Sequence, residues 1–324
     1  MKQQPQPVFI VGSGRSGTTI AANLLNHLPG VQIAKETGFI GQNVSLLDRI
    51  DKAASLTKLI AVVNSWLQQN DWEHRTNEQC FRDFCNRYEL SGPAAFIHYV
   101  WQLDSQIPWH ELSVIGDNTP LHVMAIPAIQ RLMPNARFIH MVRDPRDVVC
   151  SIRKMRFGAD DVVVAGLEWH MYVGCWLLAE RTLAPELRIE CRYEDLCIDP
   201  KTTFGRLAEF VGHSQSDAIA ALQKHAAGGA KAAVGFEKVA SWSHHTRLTE
   251  PLSPTRIGRF KSELTERQIR AIEEVAQYGM LAYGYEPAQW HVHPLMLEDR
   301  IGLLRAMLKD LALRCIKRLR RRSA

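Results

Sequence analysis

The sequence has few of the features that bind a metal or cross a membrane. Its seven cysteines are an odd, loosely spaced set without a Cys-x-x-Cys pair, so we expect reduced thiols and no structural zinc site. The histidines of His244-His245 and His291-x-His293 lack carboxylate or thiolate partners at metal spacing, which favours surface histidines. No stretch reaches the roughly 18 apolar residues of a membrane span, and the N-terminus lacks the apolar core of a signal peptide. We therefore expect a cytoplasmic protein without a metal.

A strong net charge is also missing. The chain carries a formal charge of +5, and nine Lys or Arg against one Asp lie between Arg300 and Arg322, so the remainder is close to neutral. This balance does not favour nucleic-acid binding, and it leaves room for a local basic pocket. The apolar residues of 299–322 fall on one helical face, which predicts a basic amphipathic tail over 291–324. Such a tail suits peripheral contact with an anionic membrane, packing on the body of the protein or a homodimer contact.

Short apolar runs of strand-forming residues alternate with helical patterns along the chain. Such runs, each followed by a loop and a helix, predict an α/β fold with a P-loop-type parallel sheet flanked by helices. The runs are Val8–Val11, Val31–Ala34, Val114–Gly116, Arg137–Val142 and Leu187–Tyr193. Residues 44–112 show helical spacing and predict a helical insertion or lid within a domain over 1–290.

The first cluster that carries chemistry is the loop GSGRSGTT, Gly12–Thr19, between a predicted strand and a predicted helix. Its glycines let several backbone N–H groups point at one anion, and the following helix adds its positive end. Nucleotide triphosphatases have a lysine where this loop has Thr18, so a triphosphate is poorly served. Arg15 places a cation inside the loop, which favours a single 5′-phosphate or a phosphosulfate.

The second cluster is Arg143-Asp144-Pro145-Arg146-Asp147, directly after a predicted strand, with Ser151 on the next helix. A guanidinium at the end of the strand can bind a phosphate through two hydrogen bonds, and the Ser151 hydroxyl can add a third. Taken alone, the same five residues could equally form a salt-bridged helix cap.

The two clusters together resemble the PAPS-dependent sulfotransferase superfamily, in the branch with RSGTT loops that includes tyrosylprotein and many bacterial sulfotransferases. GSGRSGTT is similar to the family's 5′-phosphosulfate loop, and FIHMVRDPRDVVCSI at 138–152 is similar to its 3′-phosphate motif. Further similar segments are DNTP at 117–120, RYEDL at 192–196, RIGRFKSELT at 256–265 and YGYEP at 283–287. The resemblance covers about residues 8–290, which would then form a sulfotransferase domain.

The resemblance implies a donor and the residues that hold it. The donor would be 3′-phosphoadenylyl sulfate (PAPS) and the product its desulfated nucleotide PAP, with no metal. Arg143 and Ser151 would hold the 3′-phosphate, Tyr193 would lie near the adenine or ribose, and Arg259 or Lys261 would close over the donor. The 5′-phosphosulfate would be held by Gly14, Arg15, Ser16, Gly17, Thr18 and Thr19.

The resemblance also implies a catalytic base, because the acceptor hydroxyl must lose its proton during transfer. Glu36 falls where the RSGTT branch has a glutamate base, while His122 and His140 are weaker candidates. Asn118 stands where the family often has a lysine beside the donor, and an amide cannot neutralise charge. The leaving nucleotide would then depend on Arg15 for stabilisation, with Lys35 as a second candidate cation.

The sequence leaves the acceptor and two other functions open. The acceptor hydroxyl could belong to a carbohydrate or glycolipid, to a peptide tyrosine or to a small natural product. One alternative is a P-loop nucleotide kinase, which Thr18 in place of the lysine disfavours. The other alternative is a non-catalytic nucleotide-binding protein at a membrane surface.

Overall fold

The chain forms two compact units in the computed structural model, which describes residues 4–34, 36–69, 75–154, 161–227 and 252–287. We call the first the sheet unit; it takes its described residues from 1–12, 17–142 and 175–253. We call the second the helical unit, and its described residues come from 13–16, 143–174 and 254–324. The tail predicted over 291–324 lies outside the described residues.

The sheet unit is built on a parallel sheet, as the sequence predicts. Its strands are β1 (Gln6–Gly12), β2 (Val31–Ala34), β3 (Val114–Asp117), β4 (Arg137–Val142) and β5 (Arg188–Arg192). Their order is β2-β3-β1-β4-β5, and every neighbouring pair is parallel. The carboxyl ends of all five strands therefore lie at one edge of the sheet. The loops that follow Gly12, Ala34 and Asp117 begin at this edge.

Helices and short 3-10 segments complete the sheet unit. Its α-helices are α1 (Thr18–Leu25), α2 (Phe39–Leu47), α3 (Ala53–Gln69), α4 (Glu78–Tyr88), α5 (Gly92–Asp104), α6 (Ile126–Leu132), α9 (Tyr193–Ile198), α10 (Pro200–Phe210) and α11 (Gln215–Ala227). Its 3-10 segments are Trp109–Glu111, Pro120–Ala125 and Pro185–Leu187. Helices α2 to α5 confirm the helical insertion predicted between β2 and β3.

One predicted helix differs from the structure. The pattern predicts a helix from about Leu121 to Leu132, whereas the chain first forms the 3-10 segment and only then α6. Pro127 explains the difference, because proline has no N–H to donate and its ring clashes with the carbonyl four residues earlier. An α-helix can carry proline in its first turn, which is where Pro127 lies in α6.

Aliphatic side chains form the core of the sheet unit. Val8 and Ile10 of β1 are fully buried in one cluster with Leu24 of α1 and Phe204 of α10. Burying one such side chain contributes about 1.5–3 kcal/mol. The wholly apolar strand that the sequence shows at Val8–Val11 is thus the centre of this core.

The helical unit is made of short helices on a small core. Its elements are α7 (Pro145–Ile152), most of α8 (Val162–Ala179), the 3-10 segment Pro254–Arg256, α12 (Phe260–Glu263) and α13 (Glu266–Ala282). Its apolar cluster includes Val149, Ala165, Phe260 and Ile272. Gly279 of α13 packs on Trp169 so closely that an added Cβ would lie 2.6 Å from the indole ring.

The expectation that no segment is long and apolar enough to span a membrane is wrong for helix α8. By length and composition it is the one described helix that could do so, because Glu168 and His170 interrupt its apolar run without making it polar on average. Trp169 and Trp176 of α8 are almost completely buried within the protein. Core helices of proteins outside membranes have the same length and composition.

Candidate functional site

The second half of the glycine-rich loop lies in the sheet unit and opens α1. Gly17 has φ 96°, and a Cβ on it would lie 2.8 Å from Cδ2 of Tyr193. Only glycine fits this close approach without strain. Tyr193, which the resemblance places near the adenine or ribose, therefore packs directly against the loop. The first N–H groups of α1 have no side-chain cap, and such uncapped groups attract anions.

The first half of the loop belongs to the helical unit, where it meets the second cluster. Arg15 has φ 69°, an unusual value for a residue with a side chain, and its Nε donates to Oγ of Ser151 at 3.1 Å. Arg143 Nη1 donates to the carbonyl oxygen of Arg15 at 3.4 Å. The buried hydroxyls of Ser13 and Ser16 are 2.6 Å apart. Thus two arginines and a serine, assigned from motifs far apart in the sequence, come together.

The second cluster also holds the segment 256–260 in the helical unit. Arg143 Nη2 donates to the carbonyl oxygen of Arg256 at 2.7 Å. The buried carboxylate of Asp147 accepts from the backbone N–H groups of Gly258 at 2.7 Å and Phe260 at 3.1 Å. Burial raises the pKa of Asp147 and outweighs the opposing effects of Arg143 and the two N–H groups. The sequence interpretation missed this role, for which the second aspartate of RDPRD was the available signal.

Arg259 lies in the segment that Asp147 holds, and Lys261 directly follows it. Arg259 Nη2 lies 2.6 Å from Oε1 of Glu263, four residues on, in a partly exposed ion pair. Lys261 is exposed on α12. The guanidinium of Arg259 is thus paired with a carboxylate, whereas Lys261 is exposed to solvent.

The helix-cap interpretation of RDPRD holds for Asp144 and Arg146. Asp144 caps α7 by accepting from the backbone N–H of Arg146 at 2.9 Å. The buried guanidinium of Arg146 contacts Asp144 at 2.7 Å and Glu273 of α13 at 2.6 Å, and it lies 4.0 Å above the ring of Phe260. One segment therefore combines Arg143, which contacts the backbone of Arg15 and Arg256, with a buried ion network around Arg146.

Glu36 is exposed and lies in the loop between β2 and α2, which packs on the end of β3. The hydroxyl of Thr37 donates to Oδ2 of Asp117. The N–H of Gly38 donates to Oγ1 of Thr119 at 3.0 Å, and the N–H of Thr119 donates to Oδ1 of Asp117 at 2.6 Å. Lys35, beside Glu36, lies outside the described residues.

Three other polar residues singled out from the sequence are buried in the sheet unit. Nδ1 of His122 lies 3.3 Å from Oδ1 of Asp117. His140 stacks on Trp176 with the ring centres 4.5 Å apart, and its burial lowers its pKa. The side chain of Asn118 is 1% exposed, and its Oδ1 makes no hydrogen bond to any residue that the structure describes. Both histidines are buried, whereas Glu36 is exposed.

The described residues contain no group of three or more His, Cys, Asp or Glu side chains arranged to hold a metal ion.

Residues 7–217 match the model of the sulfotransferase family. Because this match spans most of the chain, the protein belongs to the sulfotransferase family, the enzymes that transfer sulfuryl groups.

Three curated relatives match this chain at low identity, and two of them are named as protein-tyrosine sulfotransferases. Protein-tyrosine sulfotransferase 2 of Gallus gallus is 22% identical over 312 residues, covering 92% of this chain and 76% of its own length. A putative protein-tyrosine sulfotransferase of Caenorhabditis briggsae is 21% identical over 288 residues, covering 87% and 89%. An uncharacterised protein of Aquifex aeolicus is 26% identical over 212 residues, covering 63% of this chain but only 25% of its own length.

Solved structures show the same fold. The sulfotransferase domain of the Synechococcus PCC 7002 olefin synthase has a TM-score of 0.51 and 19% identity, covering 88% of this chain and 98% of the domain. The sulfotransferase domain from the curacin biosynthetic pathway has a TM-score of 0.54 and 16% identity, covering 88% and 99%. The α/β fold predicted from the sequence is confirmed.

Proposed function

We propose that this sulfotransferase transfers a sulfuryl group from PAPS to an acceptor hydroxyl. In this proposal the glycine-rich loop holds the 5′-phosphosulfate through Gly14, Arg15, Ser16, Gly17, Thr18 and Thr19. Arg143 and Ser151 bind the 3′-phosphate, Tyr193 contacts the nucleoside, and Arg259 and Lys261 contribute cations from the segment 256–260. Glu36 acts as the base.

The observation that carries the proposal is the hydrogen bond from Arg15 to Ser151. This bond joins residues 136 positions apart in the sequence. Arg143 contacts the same loop residue, because its guanidinium donates to the carbonyl oxygen of Arg15. Two guanidinium groups and a hydroxyl in one small region suit a phosphate, because charge-assisted hydrogen bonds are the strongest that proteins form. Arg15 also takes up a left-handed backbone conformation, which is rare for a residue with a side chain and is concentrated at functional sites.

The proposed reaction needs a proton acceptor and stabilisation of the leaving group. The acceptor hydroxyl gives its proton to Glu36 as its oxygen bonds to sulfur, and the bond from sulfur to the 5′-phosphate oxygen breaks to leave PAP. The guanidinium of Arg15 and the uncapped N–H groups of α1 offset the negative charge on the 5′-phosphate. Exposure of Glu36 at the carboxyl edge of the sheet leaves room for an acceptor beside it.

The similarity to protein-tyrosine sulfotransferases of Gallus gallus and Caenorhabditis briggsae supports a peptide tyrosine as acceptor. Carbohydrates, glycolipids and small natural products are the competing classes. Contact of residues 299–322 with a membrane, a homodimer contact and a cytoplasmic location stay predictions.

The test is sulfation by purified enzyme with labelled PAPS, using a tyrosine peptide set, glycans and a cell extract as acceptors. Glu36→Gln should lower kcat by about 10²- to 10⁴-fold, because the variant cannot take the proton. Glu186→Gln is the matched control, since Glu186 is an exposed glutamate before β5, and we expect wild-type activity from it. Wild-type activity of Glu36→Gln would exclude Glu36 as the base.

Donor binding is tested separately by thermal unfolding. PAP should raise the unfolding temperature of the wild-type protein, and Arg15→Gln should reduce that increase. Stabilisation by ATP with magnesium but not by PAP would overturn the donor assignment and favour the kinase alternative.

A further inference from the structure

We propose that Thr37 and Asp117 are positioning residues, which fix the orientation of Glu36 through the loop formed by residues 36–38. This inference rests on the proposed role of Glu36 as the base. Neither residue would touch the donor or the acceptor; both would act through the backbone that carries Glu36.

The contacts of the loop support this role. Thr37 directly follows Glu36, and its hydroxyl both donates to Oδ2 of Asp117 and accepts from the N–H of Phe39 at 3.3 Å. Gly38 next donates its N–H to Thr119 at the end of β3. Two consecutive residues after Glu36 are therefore bonded to one strand end, which restricts the backbone of the glutamate itself.

The carboxylate at the centre of this arrangement is itself fixed. The side chain of Asp117 is completely buried, at the carboxyl end of β3 between β2 and β1. Its Oδ1 accepts from the Thr119 N–H and lies 3.3 Å from Nδ1 of His122 on the 3-10 segment, and its Oδ2 accepts from the Thr37 hydroxyl. A buried carboxylate whose partners satisfy both oxygens keeps one orientation, because any rotation would leave a charge unpaired.

A base on an exposed loop gains from such support. Proton transfer requires the carboxylate within hydrogen-bond reach of the acceptor, and a displacement of about 1 Å can cost 100-fold in rate. The Thr37 hydroxyl donates to Asp117 and accepts from the N–H of Phe39, and these two bonds fix the loop at the start of α2. Glu36 thus gains a defined position while its side chain stays accessible.

The experiment removes the Thr37 hydroxyl and keeps the shape of the side chain. Thr37→Val should lower kcat by about 10- to 100-fold while the KM for PAPS and the Kd for PAP stay within about twofold. Thr37→Ser should recover most of the lost kcat, because serine restores the donor to Asp117. Thr57→Val is the matched control, since it removes another hydroxyl-to-carboxylate bond, from Thr57 to Glu78 at 2.6 Å, in exposed α3.

Three results would overturn the positioning role: wild-type kcat in Thr37→Val, a loss of PAP affinity equal to the loss of kcat, or no recovery in Thr37→Ser. Thermal unfolding of each variant verifies that the fold is retained. Glu36→Gln is measured in parallel. If it is inactive while Thr37→Val is normal, only the positioning role fails; if it is fully active, the proposed base fails as well.

Discussion

The sheet unit and the helical unit are held together by different forces. The sheet unit has a large aliphatic core around β1, in which side chains from five strands and several helices are fully buried. The helical unit has a small apolar cluster and a dense set of buried charges from Arg143 to Asp147. Apolar burial tolerates small shifts, whereas hydrogen-bonded charges demand one geometry.

This difference follows from the chain segments that each unit must join. The strands of the sheet unit pair through their backbones, so apolar side chains are enough to cover the sheet. The helical unit collects segments from 13–16, 143–174 and 254–287, which share no sheet. Arg143 and Asp147 join them through backbone groups of Arg15, Arg256 and Gly258. Residues proposed to bind the donor are thus placed by the charges around them.

The largest effect is expected from Arg146→Ala, which would break the buried network of the helical unit. The variant leaves the carboxylates of Asp144 and Glu273 unpaired and should lower the free energy of unfolding by about 3–5 kcal/mol. Denaturant unfolding followed by circular dichroism measures the loss. Hydrogen exchange should show it first in α7 and α13.

Arg131→Ala is the control for that experiment. Arg131 forms a two-bond ion pair with Asp48 at the exposed surface of the sheet unit, where water and salt screen the charges. We expect little change in its free energy of unfolding. Equal losses in the two variants would contradict the contrast between the units.

The next largest effect is expected from Asp147→Asn, which should weaken donor binding. The amide oxygen can accept from only one of the two N–H groups of Gly258 and Phe260 as well as the carboxylate does, so the segment with Arg259 and Lys261 loosens. We expect the Kd for PAP to rise about tenfold, as one lost charge-assisted hydrogen bond would give. Isothermal titration calorimetry measures this change.

Asp161→Asn provides the matched control in the helical unit. Asp161 accepts from the N–H of Val163 at 2.8 Å at the exposed start of α8 and does not contact the segment 256–260 in the described structure. Its PAP affinity should equal that of the wild type. If Asp147→Asn binds PAP normally, the segment does not depend on this carboxylate.

The sheet unit was more predictable from the sequence than the helical unit. The predicted strand Val31–Ala34 matches β2 residue for residue, because a short run rich in β-branched residues that follows a Pro-Gly turn favours a strand. The resemblance assigned Arg15 to the 5′-phosphosulfate and Ser151 to the 3′-phosphate, and the hydrogen bond between the two residues was not predicted. The roles of Asp147 and Thr37 could not be predicted, since each depends on which backbone groups the tertiary fold brings near a carboxylate. Propensity and periodicity carry no information on such pairings.

The smallest effect should be on how stability depends on pH, which we expect to have opposite signs for Asp117 and Asp147. Burial raises the pKa of Asp117, but His122, Thr119 and Thr37 outweigh it and lower the pKa overall. Its ionised form therefore stabilises the fold above about pH 4, the ordinary aspartate range, and this contribution is lost as the pH falls through the lowered pKa. For Asp147 the pKa is raised, so the folded state binds the proton more tightly and stability falls as the pH rises through that range.

Urea unfolding of the wild type, Asp117→Asn and Asp147→Asn between pH 3 and 7 tests both signs. The advantage of the wild type over Asp117→Asn should grow with pH, whereas its stability relative to Asp147→Asn should decline. Slopes of the same sign would show that the two carboxylates meet the same electrostatic environment. That result would contradict the inference that partners outweigh burial at Asp117, whereas burial outweighs partners at Asp147.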